Sequence, residues 1–161
     1  MIPQIIERKP TMLVGISRVM SLTQNTTQAL WQAFMEQRKK IPNTVGADRY
    51  SVQYYAPGYF SDFSAANTFE KWATVPVTGF DQVPEGMQAL LLPAGTYAVF
   101  LHKGGPAAGV QTFQYIFGTW LPASGFILDE TRPHFEILGE AYRNNDPESE
   151  EEIWIPVLPR V

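Results

Sequence analysis

The segment Pro133-His134-Phe135-Glu136-Ile137-Leu138 places one carboxylate in the middle of an apolar, strand-like run. Burying an unpaired carboxylate is costly, so Glu136 either faces water or meets a partner. Because a β-strand sends alternate side chains to opposite faces of its sheet, Phe135 and Ile137 share one face and Glu136 takes the other. We expect Phe135 and Ile137 to pack against helices, and Glu136 to line a cleft on the opposite face.

The composition indicates one folded domain over residues 1–161, since 45% of the 161 residues are hydrophobic. The formal net charge is −4 and no basic block is present, which argues against nucleic acid as a direct partner. No apolar run approaches ~18 residues and no signal-peptide pattern opens the chain, so we expect a cytoplasmic protein without a membrane partner. The absence of cysteine excludes disulfides and thiolate chemistry.

Aromatic residues are unusually frequent, with ten Phe, seven Tyr and four Trp, or 13% of the chain. Some of them must build the core. An excess of Tyr and Trp also suits a ligand cavity, because each side chain joins a large apolar body to a polar group.

Hydrophobic periodicity predicts two helices, from about residue 27 to 40 and from about 106 to 121. One side of the first helix would carry Ala29, Leu30, Ala33, Phe34 and Gln37, and one face of the second would carry Val110, Phe113, Phe117 and Trp120. Gln88 to Lys103 is predicted as two strands around Pro93-Ala94-Gly95, and Asn144 to Glu152 as an acidic loop. The remaining predicted strands cover residues 12–19, 50–55, 68–77, 126–130, 133–138 and 152–157.

The two halves of the chain are similar in sequence, which indicates an internal repeat. The segments 28–34, 52–54 and 74–77 match 111–117, 135–137 and 154–157, in the same order and at nearly the same spacing. We therefore predict an α+β fold of two pseudo-symmetric βαββ repeats, at about 1–80 and 87–161. They would form an antiparallel sheet with two helices on one face and a ligand groove on the other.

The period of two also assigns faces in the last strand. Ile153, Ile155 and Val157 would pack against the helices, and Glu152 and Trp154 would line the groove. Trp72 lies two residues before Thr74, on the face that corresponds to Trp154. Gln53 occupies the position in the first repeat that corresponds to Glu136.

Four segments resemble the GyrI-like effector-binding domain found in AraC-type and MerR-type transcription regulators and as free-standing proteins. They are the strand Gly95–Gly105, the helix end Gly118–Gly125, the Pro133-His-Phe-Glu stretch and the closing Ile153–Val157. The resemblance covers nearly the whole chain. The chain resembles the free-standing members of the family, including those carried in integron gene cassettes. The resemblance implies two βαββ repeats around a groove that binds hydrophobic, often cationic molecules through stacked aromatics and a buried glutamate, here Glu136.

We therefore expect a non-enzymatic domain that binds a small amphipathic, cationic aromatic ligand, as a monomer or homodimer. Expected ligand-binding residues are Glu136, Trp154, Trp72, Tyr54, Gln53, Tyr97, Tyr115 and Glu152. One alternative is a hydrolase in which Glu136 acts with Tyr97 or Tyr115. Another is a protein-binding modulator of the gyrase-inhibitor kind.

No cofactor or metal is expected. His102 and His134 lack the spacing of a ligand cluster. The run Glu148–Glu152 is interpreted as a solvated acidic segment, without the spaced oxygen ligands of a calcium loop.

Overall fold

The computed structural model of the chain describes residues 1–139 and 148–161. It is an α+β fold built on a large antiparallel sheet, as predicted. The strands are β1 (Gln4–Arg8), β2 (Thr11–Ser21), β3 (Arg49–Tyr54), β4 (Thr68–Pro76), β5 (Gln88–Leu92), β6 (Gly95–Lys103), β7 (Phe126–Leu128), β8 (His134–Leu138) and β9 (Glu150–Pro159). The helices are α1 (Thr27–Gln37), α2 (Pro106–Tyr115) and α3 (Leu121–Ala123), with a 3₁₀ turn at Arg38–Lys40 and a π-helical segment at Ile116–Trp120.

The sheet is strongly curved. Its order is β1-β6-β9-β8-β3-β4-β2-β5, with β7 paired to β9. In a flat sheet β5 and β6 would lie roughly 29 Å apart, at about 4.8 Å per strand. The chain crosses from Leu92 to Gly95, which spans at most about 11 Å. The two ends of the sheet therefore curl toward each other and enclose one of its faces.

Helices α1 and α2 pack on the same, outer face of the curved sheet. Directly paired residues share a face, and one row crosses six strands. That row is Ile16, Ala73, Ser51, Glu136, Ile153 and Phe100. Ala73 packs in the cluster below α1, and Ile153 and Phe100 pack in the cluster below α2. The row therefore shows that Glu136 lies on the helix-bearing face.

Each helix is fixed by a few apolar side chains. Leu30 and Phe34 of α1 are fully buried against β2 and β4, as predicted, whereas Ala29 of the same predicted side is exposed. The second helix was expected to bury Val110, Phe113, Phe117 and Trp120. Val110 is instead 60% exposed, and Ile116 is the fully buried residue. The π-helical segment inserts one residue into the helical repeat and so changes which side chains face the sheet.

The inner face of the sheet carries a closed aromatic and aliphatic cluster, which we call the inner cluster. Its buried residues are Leu13, Tyr50, Val52, Trp72, Leu92, Tyr97, Phe135, Ile137 and Trp154. The expectation that Phe135 and Ile137 would face the helices, with Glu136 opposite, was wrong. The curvature of the sheet provides a second apolar interior, and the alternating strand β8 points its aromatic and aliphatic side chains there.

Other element predictions differ in detail. Strand β1 was not predicted, and β9 begins at Glu150 rather than Glu152. The predicted acidic loop from Asn144 falls, through residue 147, outside the described residues. The repeat symmetry of the two halves stays a prediction. Within residues 1–139 and 148–161, no helix is long and apolar enough to cross a membrane.

Candidate functional site

A polar strip runs along the outer face of the two central strands, between the clusters below α1 and α2. We call this strip the seam. It consists of Ser51 and Gln53 on β3 and His134 and Glu136 on β8. Helix α1 contacts β2 and β4, and α2 contacts β6. Because neither helix packs against these central strands, the seam can hold polar groups that a helix-covered sheet would exclude.

Glu136 is the charged residue of the seam. It is half-buried, and it forms no hydrogen bond or ion pair with any other residue of the described chain. The polar side chains of β3 next to Glu136 bond to each other instead, since Gln53 Nε2 donates a hydrogen bond to Ser51 Oγ at 3.0 Å. Glu136 is therefore a carboxylate with its bonding capacity open on the outer face.

Glu151 of β9 is a second carboxylate beside the seam, and the two influence each other. Burial raises the pKa of Glu136 above its ordinary value, while Lys71 and His102 favour the ionised form. Burial, with the negative charge of Glu136, raises the pKa of Glu151 to about 8, against the effect of Lys71. The site thus holds two acidic groups that are costly to ionise without a cation.

Aromatic rings from both halves of the chain close over one end of the seam. The ring of His134 lies 4.9 Å from Tyr55, 5.3 Å from Phe60 and 6.0 Å from Phe117, measured between centroids. Phe60 stacks on Phe117 at 4.6 Å with an interplanar angle of 18°. Tyr55 and Phe60 belong to the segment between β3 and β4, and Phe117 to the π-helical segment.

These rings carry no charge near neutral pH. Burial lowers the pKa of His134 to about 3, so its imidazole is neutral. Burial, followed by the charges of Glu136 and Tyr59, raises the pKa of the Tyr55 hydroxyl. The aromatic end of the seam is therefore an apolar environment next to a carboxylate.

Two cavities flank β8. The smaller, about 10 Å³, is lined by residues that include Tyr55, Phe60 and His134. The larger, about 200 Å³, lies at the other end of the strand and is lined by residues that include Asp48 and Glu151. Ligand pockets commonly enclose about 300–1,000 Å³. A drug-sized molecule at the seam therefore requires the aromatic rings to move apart.

The expected groove residues divide between the two faces of the sheet. Glu136 and Gln53 share the seam. Trp72, Trp154, Tyr97, Tyr54 and Glu152 belong to the inner face, where the two tryptophan rings and Tyr97 are buried. Since the sheet itself separates these two sets, they cannot contact one small ligand together.

The inner cluster already contains a cation. The guanidinium carbon of Arg8 lies 4.8 Å from the ring centroid of Trp154, and 5.3 Å from those of Tyr50 and Phe135. Arg8 also donates hydrogen bonds to the hydroxyls of Tyr50 and Thr11. Trp154, which was expected to bind a cationic ligand, thus packs against an arginine of the protein's own first strand.

The arrangement proposed for a hydrolase is not formed. Tyr97 lies on the face opposite Glu136, and its hydroxyl donates to the carbonyl of Pro93 at 2.9 Å. The hydroxyl of Tyr115 donates to the carbonyl of Met1 at 2.8 Å. Neither tyrosine hydroxyl therefore bonds Glu136, since both donate to backbone carbonyls, and the hydrolase alternative stays a prediction.

The two histidines have separate surroundings. His102 is buried and its Nδ1 lies 2.8 Å from Thr112 Oγ1, whereas His134 packs among aromatic rings. In the part of the chain that the structure describes, no three His, Asp or Glu side chains are placed to hold a metal ion.

The sequence matches the family model described as "GyrI-like small molecule binding domain" over residues 1–158. The chain belongs to this family. A curated relative of the GyrI-like domain, the transcriptional regulator BrlR of Pseudomonas aeruginosa, is 28% identical over 157 residues. These cover 96% of this chain and 54% of that protein, so the chain spans about half the length of its curated relative.

Solved structures show the same fold. The structure of SAV2435 bound to tetraphenylphosphonium aligns with a TM-score of 0.74 at 17% identity, covering 98% of this GyrI-like chain and 94% of that one. EcmrR, in a cryo-EM complex with DNA, aligns with a TM-score of 0.75 at 16% identity, covering 99% of this chain and 57% of that one.

Sequence reasoning missed several residues around the seam in this GyrI-like domain. Tyr55, Phe60 and Phe117 come from a loop and a helix, where strand alternation gives no information. Lys71 and Glu151 lie on strands, and their parity places them on the face of Glu136. That parity was available from the sequence, but the wrong face had been assigned to β8.

Proposed function

We propose that this GyrI-like domain binds small amphipathic organic cations at the seam, with Glu136 as the charge-complementing group. The observation that carries the proposal is that Glu136 is half-buried and unpaired among the described residues, beside the aromatic rings around His134. A lipophilic cation offers charge to the carboxylate and apolar surface to the rings. The SAV2435 structure, bound to tetraphenylphosphonium, supports this class of ligand.

Binding requires a rearrangement at the aromatic end of the seam. Phe60 lies in the segment between β3 and β4, and its ring rests on Phe117 from the other half of the chain. Separation of these two rings would join the small cavity at His134 to the open surface above Glu136. The ligand would then replace ring–ring contacts with its own aromatic groups, so part of the binding energy offsets the opening.

The domain would act as a sensing or sequestering module for such cations. BrlR is a transcriptional regulator about twice as long as the matched segment, and EcmrR is seen in a complex with DNA. A role in transcription regulation for this chain is a proposal that rests on those relatives. The choice between sensing and sequestration depends on partners that a pull-down would identify.

The test is a calorimetric titration at pH 9 with tetraphenylphosphonium and, separately, with neutral triphenylphosphine oxide. Glu136→Gln is expected to weaken cation binding by about tenfold or more, which corresponds to ~1.4 kcal/mol, and to leave the neutral compound unaffected. Glu152→Gln is the matched control, because this carboxylate lies on the neighbouring strand and on the inner face. Equal losses for both compounds in Glu136→Gln would contradict the charge argument.

A further inference from the structure

Lys71 is a basic residue whose charge acts on Glu136 of the seam and on Glu151 beside it. It lies on β4 opposite Gln53, and Gln53 in turn lies opposite His134. Alternation along β4 assigns Trp72 to the inner cluster and Ala73 to the cluster below α1. Lys71 therefore projects from the same outer face as Glu136.

The distance is suited to a flexible lysine. Two strand spacings of about 4.8 Å separate β4 from β8, and Glu136 lies two residues along β8 from His134, the residue in line with Lys71. The side chain is half-buried and forms no ion pair within 4.0 Å among the described residues. Its ammonium group is thus close enough to influence the carboxylates but is not held by them.

The electrostatic balance agrees with this placement. The charge of Lys71 favours ionisation of both Glu136 and Glu151, against the effect of burial on each. His134 contributes no charge near neutral pH, and His102 also favours ionised Glu136. When Glu136, Glu151 and Lys71 are all ionised, the three groups together carry one net negative charge.

We propose that Lys71 is an internal counter-ion that sets the charge preference of the seam, matching it to monocations and disfavouring dications. This inference rests on the proposed function, because it concerns how the same site selects among organic cations. In the absence of ligand, the ammonium compensates the two carboxylates. A bound cation lies near the same carboxylates and is repelled by Lys71, so each additional ligand charge increases the cost.

Ethidium and propidium are suitable probes, because they share one phenanthridinium ring system and carry one and two positive charges. Binding is measured by fluorescence at pH 9 and moderate salt for wild type, Lys71→Met and Lys71→Arg. Lys71→Met is expected to bind ethidium roughly three- to tenfold more tightly and propidium more tightly still. Lys71→Arg keeps the charge and should retain the wild-type preference between the two dyes.

Two controls separate this effect from a general change in net charge. Lys39→Met removes an exposed lysine on the 3₁₀ turn, and Arg18→Met removes the exposed cation paired with Lys71 across β2 and β4. Both should change dye affinity less than twofold, since both side chains are exposed and water and salt screen such charges. An effect of Lys39→Met equal to that of Lys71→Met would overturn the assignment.

The outcomes also separate this inference from the proposed function. Suppose that wild type binds ethidium, and that Lys71→Met binds each dye with the wild-type affinity or more weakly. The role of Lys71 is then overturned and the proposed function stands. If neither wild type nor any variant binds either dye or tetraphenylphosphonium, the proposed function fails and the inference fails with it. A folding defect is detected by thermal unfolding of each variant without ligand.

Discussion

The ring of Phe60 stacks on the ring of Phe117 at 4.6 Å and thereby joins the two halves of the chain above the sheet. Phe60 follows β3, whereas Phe117 belongs to the π-helical segment after α2. This contact places a stacked aromatic pair beside His134 at one end of the seam.

The Phe60–Phe117 contact is expected to contribute measurable coupling energy. Single Phe→Leu variants and the double variant, compared by urea unfolding, should give a coupling of about 0.5–1.5 kcal/mol, as found for aromatic pairs. A second cycle that pairs Phe117→Leu with Phe80→Leu is the control, since Phe80 is exposed and, in the part of the chain that the structure describes, its ring makes no contact with Phe117. A coupling near zero in the first cycle would argue against a closed seam in solution.

Arg8 should stabilise the inner cluster. Arg8→Ala removes a cation from three aromatic rings and is expected to lower the free energy of unfolding by about 1–3 kcal/mol. Arg18→Ala, at an exposed position of β2, should change stability by less than about 0.5 kcal/mol. Chemical denaturation measures both. Because the inner cluster is separate from the seam, organic cation binding by folded Arg8→Ala should match wild type.

The raised pKa of Glu151 predicts a pH-dependent stability. Burial and the charge of Glu136 raise this pKa from 4.5 to about 8, so the folded state holds a proton that the unfolded state releases. Stability therefore falls as the pH rises between about 4.5 and 8, and then levels. Glu151→Gln should flatten this decline and be more stable than wild type above pH 8. Parallel pH profiles for the two proteins would refute the prediction.

The same pKa shifts predict that cation binding strengthens with pH. A bound cation favours the ionised carboxyls, so binding releases protons while Glu136 and Glu151 are partly protonated. The affinity for tetraphenylphosphonium should rise as the pH approaches about 8, the pKa of Glu151, from below. Calorimetry in buffers of different ionisation enthalpy measures the released protons. The release should be smaller in Glu136→Gln, and an unchanged release there would assign the protons to other groups.

Gly95 should tolerate no side chain. A Cβ built there would clash with the guanidinium group of Arg132, and the residue has φ of 153°. Arg132 is itself fixed by a 2.7 Å ion pair with Asp129 and by hydrogen bonds to the carbonyls of Thr96 and Val157. Gly95→Ala is therefore expected to cost more than about 2 kcal/mol in thermal unfolding.

Gly109→Ala is the matched control for Gly95→Ala. Gly109 lies inside α2, and a Cβ there would meet no atom within 4 Å. Replacing a helical glycine with alanine should raise stability by about 0.5–1 kcal/mol. If both variants changed stability in the same direction and by the same amount, the steric argument at Gly95 would be wrong.

Much of the fold was predictable because local patterns determine it. Leu30 and Phe34 were recognised from helical spacing, and most strands from β-branched and aromatic runs. Strand β1 was missed because its short run, Gln4–Arg8, is half polar and packs on one neighbouring strand. The exposure of Val110 was missed because hydrophobic spacing assumes a constant number of residues per helical turn. The π-helical segment changes that number.

The candidate site was predictable in one residue but not in its surroundings. Glu136 was selected as the unusual carboxylate of an apolar strand, and Gln53 was correctly placed on its face. Trp154 and Trp72 were assigned to that site as well, although the sheet lies between them and Glu136. Alternation separates the two faces of a strand, but it does not state which face the helices cover.

The sequence by itself determined most of the helices and strands, the family, and which side chains of a strand share a face. These features depend on neighbouring residues and on short motifs. Tertiary structure decided the curvature of the sheet, and through it the surroundings of the Phe135 and Glu136 side chains. Curvature encloses the inner face, so the aromatic side chain has an apolar interior without a helix. Glu136 then remains on the outer face between α1 and α2. Phe60 and Phe117, from segments distant in the chain, pack beside its strand neighbour His134, and the charge of Lys71 acts on Glu136 from β4.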